Sequence, residues 1–167
     1  PALRLAYPKY NVVTTHINGK PINQEMDTIP AMQAVELKGI VTDGSGYALA
    51  NFDGELDIKV FDKVRTLSTL GSLPGDYPDK YTLQDNFVYQ GRATVTDGEF
   101  TVQFMVPRDI DYSYGPGKIS YYAHNDVMDA NGFSKKLIIG GSGNQSTDNV
   151  GPEISLFLND ENFVNGA

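Results

Sequence analysis

The chain has 167 residues, of which 40% are hydrophobic and 20% are charged, values typical of a globular domain with one main core. A net charge of -8 argues against a nucleic-acid partner, because binding to phosphates needs clustered Lys and Arg. The absence of cysteine excludes disulfides, thiolate metal ligands and a cysteine nucleophile within these residues, and no apolar run is long enough to predict a membrane span.

Period-two alternation of apolar and polar residues is the dominant pattern, and Gly, Asn, Asp and Pro interrupt it as they do between antiparallel strands. The turn pair Asp97-Gly98 tolerates the positive φ angles of a type I′ turn, so the runs on either side predict a hairpin. No sustained apolar stripe of period 3.6 predicts a helix. In chain order, the predicted strands are residues 11–17, 35–42, 55–62, 87–96, 99–106, 118–124, 133–139 and 153–158.

These runs predict an all-β fold, best fitted by an immunoglobulin-like antiparallel β-sandwich of about seven to eight strands, with a jelly roll left open. Residues 71–80 read as a long surface loop, and the glycine-rich residues 140–149 as an exposed loop or linker. The strand at 153–158 is either the last strand of this domain or the first of a following one.

No constellation of residues predicts catalysis, a cofactor or a bound metal. The two histidines, His16 and His124, have no partner histidine at metal-ligand spacing. Residues 126–132 (DVMDANG) could wrap a calcium ion, but they do not match the EF-hand pattern, and aspartates before Asn-Gly are ordinary turn formers. Asp109 and Asp111 could be an acid and base pair, yet loop solvation is the favoured interpretation.

A concentration of tyrosines lies shortly before the acidic segment. Rigid amphipathic rings favour interfaces, so these residues could stack on sugars or dock against a protein. The alternative is that Tyr121 fills the core and the others border a turn. The candidate partner surface comprises Tyr112, Tyr114, Tyr122, Asp126 and Asp129.

Several strings in this order resemble a known family. The opening PALRLAYPKYNVVTTHING is similar to the segment that leaves the catalytic domain in gingipain-like cysteine peptidases of the PorU type, the sortases of the Bacteroidetes type IX secretion system. The later strings resemble the β region that follows that domain, so the resemblance covers nearly the whole chain. They are GIVTDGSGYALANFDGELDIKVFD, VYQGRATVTDGEFTVQFMVPRDIDYSYGPGKISYYA and GPEISLFLNDENFVNG.

The resemblance implies a parent protein on the bacterial outer-membrane surface that removes a C-terminal secretion signal from cargo and transfers the cargo to a surface anchor. The family's catalytic cysteine and histidine lie upstream of these strings, so no catalytic position is carried over. Residues 1–29 would leave the peptidase domain, 30–150 would form the sandwich, and 151–167 would enter a further β domain.

The implied role is a non-catalytic support and spacer whose partners are the upstream peptidase domain and the downstream β domain. The alternative is a module that binds protein or carbohydrate and recognises cargo or another secretion component.

Overall fold

The computed structural model describes residues 7–22, 26–71, 75 and 77–143, and within them it contains thirteen β-strands and no helix. The all-β prediction is therefore confirmed for this part of the chain. The same residues contain no helix long and apolar enough to cross a membrane. The strands are β1 (Tyr10–Ile17), β2 (Lys20–Pro21), β3 (Asp27–Ala31), β4 (Ala34–Thr42), β5 (Gly54–Phe61), β6 (Arg65–Ser68), β7 (Lys80–Leu83), β8 (Phe87–Val95), β9 (Glu99–Met105), β10 (Gly115–Pro116), β11 (Lys118–His124), β12 (Asp129–Ser134) and β13 (Leu137–Ser142).

Most strands belong to one main sheet with the order β8-β5-β11-β12-β1-β4-β9, and β2 pairs with β1 beside this path. The first and last strands of that order, β8 and β9, are consecutive in sequence and joined by the two-residue turn Asp97-Gly98. Across the remaining gap the Tyr89 ring stacks on Phe104, with ring centroids 4.4 Å apart. The main sheet therefore curls into a nearly closed barrel.

The turn at Asp97-Gly98 has the predicted geometry, with φ angles of 50° and 74°. The hairpin itself, however, is wrong beyond the turn, because only Thr96 and Glu99 pair across it. From there β8 pairs with β5 and β9 pairs with β4. A turn sequence specifies the local reversal, whereas the long-range partners of each strand depend on the rest of the sheet.

The sheets are mixed, so the predicted antiparallel sandwich is confirmed only as an all-β fold. Strand β1 runs parallel to β12, with Tyr10 opposite Ala130, and β3 runs parallel to β13 in a small sheet of order β10-β13-β3. Gly132 permits the close approach of β12 to β1, since a side chain there would overlap the Val12 carbonyl. Strand β1 is an interior strand of the main sheet, and the domain boundaries at residues 29 and 150 stay predictions.

Two predicted segments differ in the structure, and two others lie wholly or partly outside the described residues. The strand predicted at 133–139 is wrong, because β12 ends at Ser134 and β13 begins at Leu137 in a different sheet. The linker predicted at 140–149 begins too early, since β13 continues to Ser142, and residues 144–149 lie outside the described part of the chain. The predicted strand at 153–158 also lies outside it, as do residues 72–74 and 76 of the predicted loop at 71–80.

Alternation places the core inside the curled sheet. On β9, Phe100, Val102 and Phe104 are buried, whereas the residues between them are exposed, as the sequence predicts. On β8 the alternation breaks, because the register shifts opposite Val60 and Phe61. A bulge of this kind reverses which residues face inward, so Phe87 is half exposed and its neighbour Val88 is buried.

Tyr121 of β11 joins the two halves of this core. Its ring contacts that of Phe100 with centroids 5.5 Å apart, and its hydroxyl lies 2.8 Å from the buried Thr14 hydroxyl on β1. Burial raises the pKa of the Tyr121 hydroxyl, an effect that its hydrogen bond to Thr14 partly opposes. The prediction that Tyr121 fills the core is confirmed.

This hydrogen bond gives a double-mutant test. We expect Tyr121→Phe or Thr14→Val alone to lower the free energy of unfolding by about 1–2 kcal/mol, because each leaves one buried hydroxyl without a partner. The double variant should recover much of that loss, because neither hydroxyl remains. Urea denaturation measures all four proteins, and simple additivity of the two losses would contradict the coupling.

Candidate functional site

The outward-facing side chains of β5, β8 and β11 form a polar cluster around one exposed ring. Tyr122 is 42% exposed and stacks against His124, with centroids 5.5 Å apart. Asp57 lies between His124, at 3.9 Å, and Arg92, whose Nε donates a 3.0 Å hydrogen bond to it. Arg92 also approaches Glu55 at 3.6 Å. The exposed ion pairs of Arg92 contribute little stability, but they hold polar groups close to the Tyr122 ring.

Tyr122 also borders a shallow hollow of about 460 Å³ beyond the end of β11, and residues 124–129 line the rest of it. Asp126 and Asp129 lie in this lining. Asn125 shapes the segment, because its side-chain oxygen accepts hydrogen bonds from the backbone N–H of Val127 at 3.0 Å and of Met128 at 2.7 Å. This arrangement agrees with the turn interpretation of the acidic segment. Three of the five predicted surface residues thus share one hollow.

The other two predicted surface residues lie beyond the opposite end of β11. The Tyr112 hydroxyl donates to the Arg108 carbonyl at 2.8 Å, and the Tyr114 ring lies over Gly141 of β13. Strand β11 separates this region from the acidic turn, and its seven residues span about 20 Å at about 3.3 Å per residue. The five residues therefore form two surfaces, and a role for either in binding a partner stays a prediction.

An ion pair with little exposure fixes the segment that carries these two tyrosines. Lys63 lies 2.8 Å from Asp62, and both side chains are only 11% exposed. The Lys63 ammonium also donates a 2.7 Å hydrogen bond to the Asp111 carbonyl, while its stem packs on Gly115. A side chain at position 115 would occupy the space of that stem. This pair connects the end of β5 to the segment between β9 and β10.

The same end of β5 leads into a hairpin, β6 and β7, that the sequence pattern did not reveal. Its register places Leu67 opposite Tyr81 and Arg65 opposite Leu83, so one face carries three apolar side chains. Tyr81 is 48% exposed and Leu83 is 39% exposed. The signal was present as alternation in two strands of four residues, which is too short to distinguish from a loop.

Arg65 and Asp85 close the base of this hairpin in a bidentate ion pair. The Arg65 Nε donates to Asp85 at 2.8 Å and its Nη2 at 2.6 Å. Gln84 donates to the Asp62 carbonyl at 2.7 Å, which ties the hairpin to the Lys63 pair. We call the side chains of Leu67, Tyr81 and Leu83 the apolar hairpin face.

The Arg65 pair predicts a change in titration. Hydrogen bonds from Arg65 hold the pKa of Asp85 below its ordinary value of 3.8. Because the folded pKa is lowered, the pair's contribution to stability is present above the unfolded pKa and is lost as pH falls through the folded pKa. We expect Arg65→Met to raise the pKa of Asp85 toward its ordinary value.

Carboxyl NMR titration measures this shift. The matched variant Arg92→Met removes an arginine from a different carboxylate cluster and should leave the pKa of Asp85 unchanged. An Asp85 pKa that does not rise in Arg65→Met would show that the pair is not formed in solution.

Among the described residues, no group of three His, Cys, Asp or Glu side chains is placed to hold a metal ion. Comparison with protein-family models and with curated protein sequences gives no match. The chain is similar to a solved structure, PorU from Porphyromonas gingivalis, at 32% identity and a TM-score of 0.70. The similarity covers 97% of the chain. This chain is a PorU-related domain.

The PorU-related domain spans only 16% of the length of that PorU chain. Two other solved structures are similar at much lower levels. Spo0M, a sporulation control protein from Bacillus subtilis, has 11% identity and a TM-score of 0.42, over 82% of this chain and 51% of its own. A Niemann-Pick type C2 protein from the Japanese carpenter ant has 12% identity and a TM-score of 0.31, over 75% and 92%. Neither bears on function.

Proposed function

We propose that this PorU-related domain is a non-catalytic module that supports and spaces neighbouring domains in a gingipain-like cell-surface cysteine peptidase, a sortase of type IX secretion. The observation that carries the proposal is the match to PorU over 97% of this chain and 16% of that protein. The 167 residues also contain no cysteine, so a cysteine peptidase would need a catalytic residue from elsewhere in the polypeptide. We propose that the protein that contains this domain is located on the outer-membrane surface.

The apolar hairpin face supports a structural role. A two-stranded hairpin is marginally stable in water by itself, and its apolar face gains free energy only when another surface covers it. In this domain the hairpin base is held by Arg65 and Asp85, so the face projects in a defined direction. A neighbouring domain that packs on Leu67 and Tyr81 would fix its orientation relative to the barrel.

This role predicts mutual stabilisation. A polypeptide that joins the peptidase domain to this domain should melt at a higher temperature than the peptidase domain alone, because the contact buries apolar surface of both. The variant with Leu67→Ser and Tyr81→Ser should lose most of that gain. Differential scanning calorimetry and peptidase activity measure the effect.

The matched control changes the polar face of the same hairpin, with Thr66→Ala and Thr82→Ala, and should keep the gain. Melting the isolated domain with each pair of substitutions checks that the barrel itself stays folded. Equal melting temperature and activity of the peptidase domain with and without this domain would sink the spacer proposal.

A second candidate function is a binding module that recognises cargo, carbohydrate or another secretion component. The observation that favours it is the exposed Tyr122 ring beside the acidic hollow. An aromatic side chain surrounded by polar groups is a common anchor in interfaces.

Because the two tyrosine regions are separate, each can be tested for partner binding with its own variant. Tyr122→Ala should abolish capture of a partner in a pull-down if the hollow at Asp126 and Asp129 is the surface. The variant with Tyr112→Ala and Tyr114→Ala serves as its control and should leave capture intact. Unchanged capture with Tyr122→Ala would reject this surface, and circular dichroism checks that each variant is folded.

A further inference from the structure

The outer face of the main sheet is divided by charge along β11. Glu55, Asp57 and Asp129 lie toward the His124 end of this strand, because Glu55 and Asp129 are the register partners of His124. Lysines occupy the other end. Lys59 lies opposite Ser120, and Lys118 starts the strand opposite Phe61.

Two further lysines directly follow strand β12 at this basic end. Phe133 lies opposite Ser120 and Ser134 opposite Ile119, so the chain leaves β12 beside the start of β11. Lys135 and Lys136 follow at once and are both exposed. The basic end therefore brings together lysines from β5, from β11 and from the connection between β12 and β13.

These lysines have no acidic partner among the residues that the structure describes. No carboxylate of a described residue lies within 4.0 Å of Lys59, Lys118, Lys135 or Lys136, whereas the pairs at Lys20, Lys38, Lys63, Arg65 and Arg92 do form. Lys118 instead lies 4.0 Å over the Phe61 ring. Since the whole chain has a net charge of -8, this is a local reversal of sign. A basic patch of this kind attracts an acidic partner and repels a basic partner.

An apolar hollow of about 370 Å³ adjoins the lysines. It forms where β1 changes partners, since β12 pairs with β1 only as far as Asn11 and β2 begins to pair at His16. Phe133 at its edge is 71% exposed, and Val13 is 44% exposed. The apolar part of the lining comes from Val12, Val13, Ile22 and Phe133, and Lys135 and Lys136 complete the rim.

We propose that this basic-apolar surface, formed by Lys59, Lys118, Lys135, Lys136, Val13 and Phe133, docks an acidic polypeptide segment with an apolar side chain near its carboxylates. The positive charge favours an acidic partner. The apolar hollow favours a polypeptide, because a polypeptide can supply an apolar side chain. The aliphatic walls formed by Val12, Val13 and Ile22 suit a hydrocarbon side chain, because these side chains offer no hydrogen-bond partner to the hydroxyl groups of a sugar. This inference goes beyond the spacer role and does not depend on the apolar hairpin face.

The test uses three soluble polymers as probes with the full chain: a random Glu-Leu copolymer, poly-L-glutamate and dextran sulfate. We expect the copolymer to bind most tightly, and binding to weaken as salt rises from 20 to about 200 mM because the charges are exposed. The variant with Lys118→Gln and Lys135→Gln should raise the copolymer Kd at least about fivefold. Phe133→Ala should weaken binding of the copolymer more than binding of poly-L-glutamate.

The matched control, Lys9→Gln with Lys80→Gln, removes the same number of charges elsewhere and should leave the copolymer Kd within about twofold. An equal loss in both double variants would reduce the effect to net charge and overturn the proposal. If Phe133→Ala weakens dextran sulfate binding as much as copolymer binding, the surface binds an anionic polysaccharide, and the proposal is overturned. Absence of copolymer binding at low salt would also overturn it.

Discussion

The connection between β8 and β9 constrains the whole main sheet. These strands are the two ends of the strand order, yet only Thr96, Asp97 and Gly98 separate them in sequence. Two backbone hydrogen bonds fix this turn, because the Gly98 N–H donates to the Phe52 carbonyl at 2.9 Å and the Gly98 carbonyl accepts from the Val41 N–H at 2.7 Å. A side chain at Gly98 would overlap the Leu49 carbonyl. The sheet must therefore curl until its ends meet.

Curling separates the chemistry of the two faces. The inside is filled by apolar side chains and by Tyr121, whose hydroxyl is satisfied by Thr14. The outside of the same strand presents Tyr122 and Lys118, near opposite ends of the strand and with different charges around them. Adjacent residues of this strand thus lie in the core and on the outer surface, since alternate side chains point to opposite faces.

The hairpin of β6 and β7, which we propose contacts a neighbouring domain, lies outside the main sheet. The hairpin is held at its base by Arg65 and Asp85, and Lys63 fixes the neighbouring segment to the end of β5. An exposed ion pair alone contributes little, but the Lys63 pair is shielded from water and also satisfies a backbone carbonyl. A spacer needs such rigid attachment, because a loosely attached hairpin could not fix the orientation of a neighbour.

The amino-acid sequence by itself determined the local features. Alternation in β1, β4, β5, β9 and β11 identified these strands to within one or two residues, and the positive φ angles at Asp97 and Gly98 followed from residue type. The resemblance of these sequence segments to PorU-type proteins was also confirmed. It could be recognised from the sequence, since it depends on the order of the residues and not on geometry. Local backbone preferences and short motifs can be read without knowing what lies nearby.

Only the tertiary structure decided which strands pair and which side chains meet. The sequence around Lys135 and Lys136 continued an apolar alternation, yet the chain changes sheets there, and both lysines join Lys118 on one surface. Tyr114 and Tyr122 are close in sequence, yet β11 carries them apart. Strand pairing is a competition among distant segments for the same hydrogen bonds and the same core, and neighbouring residues in the sequence do not encode its outcome.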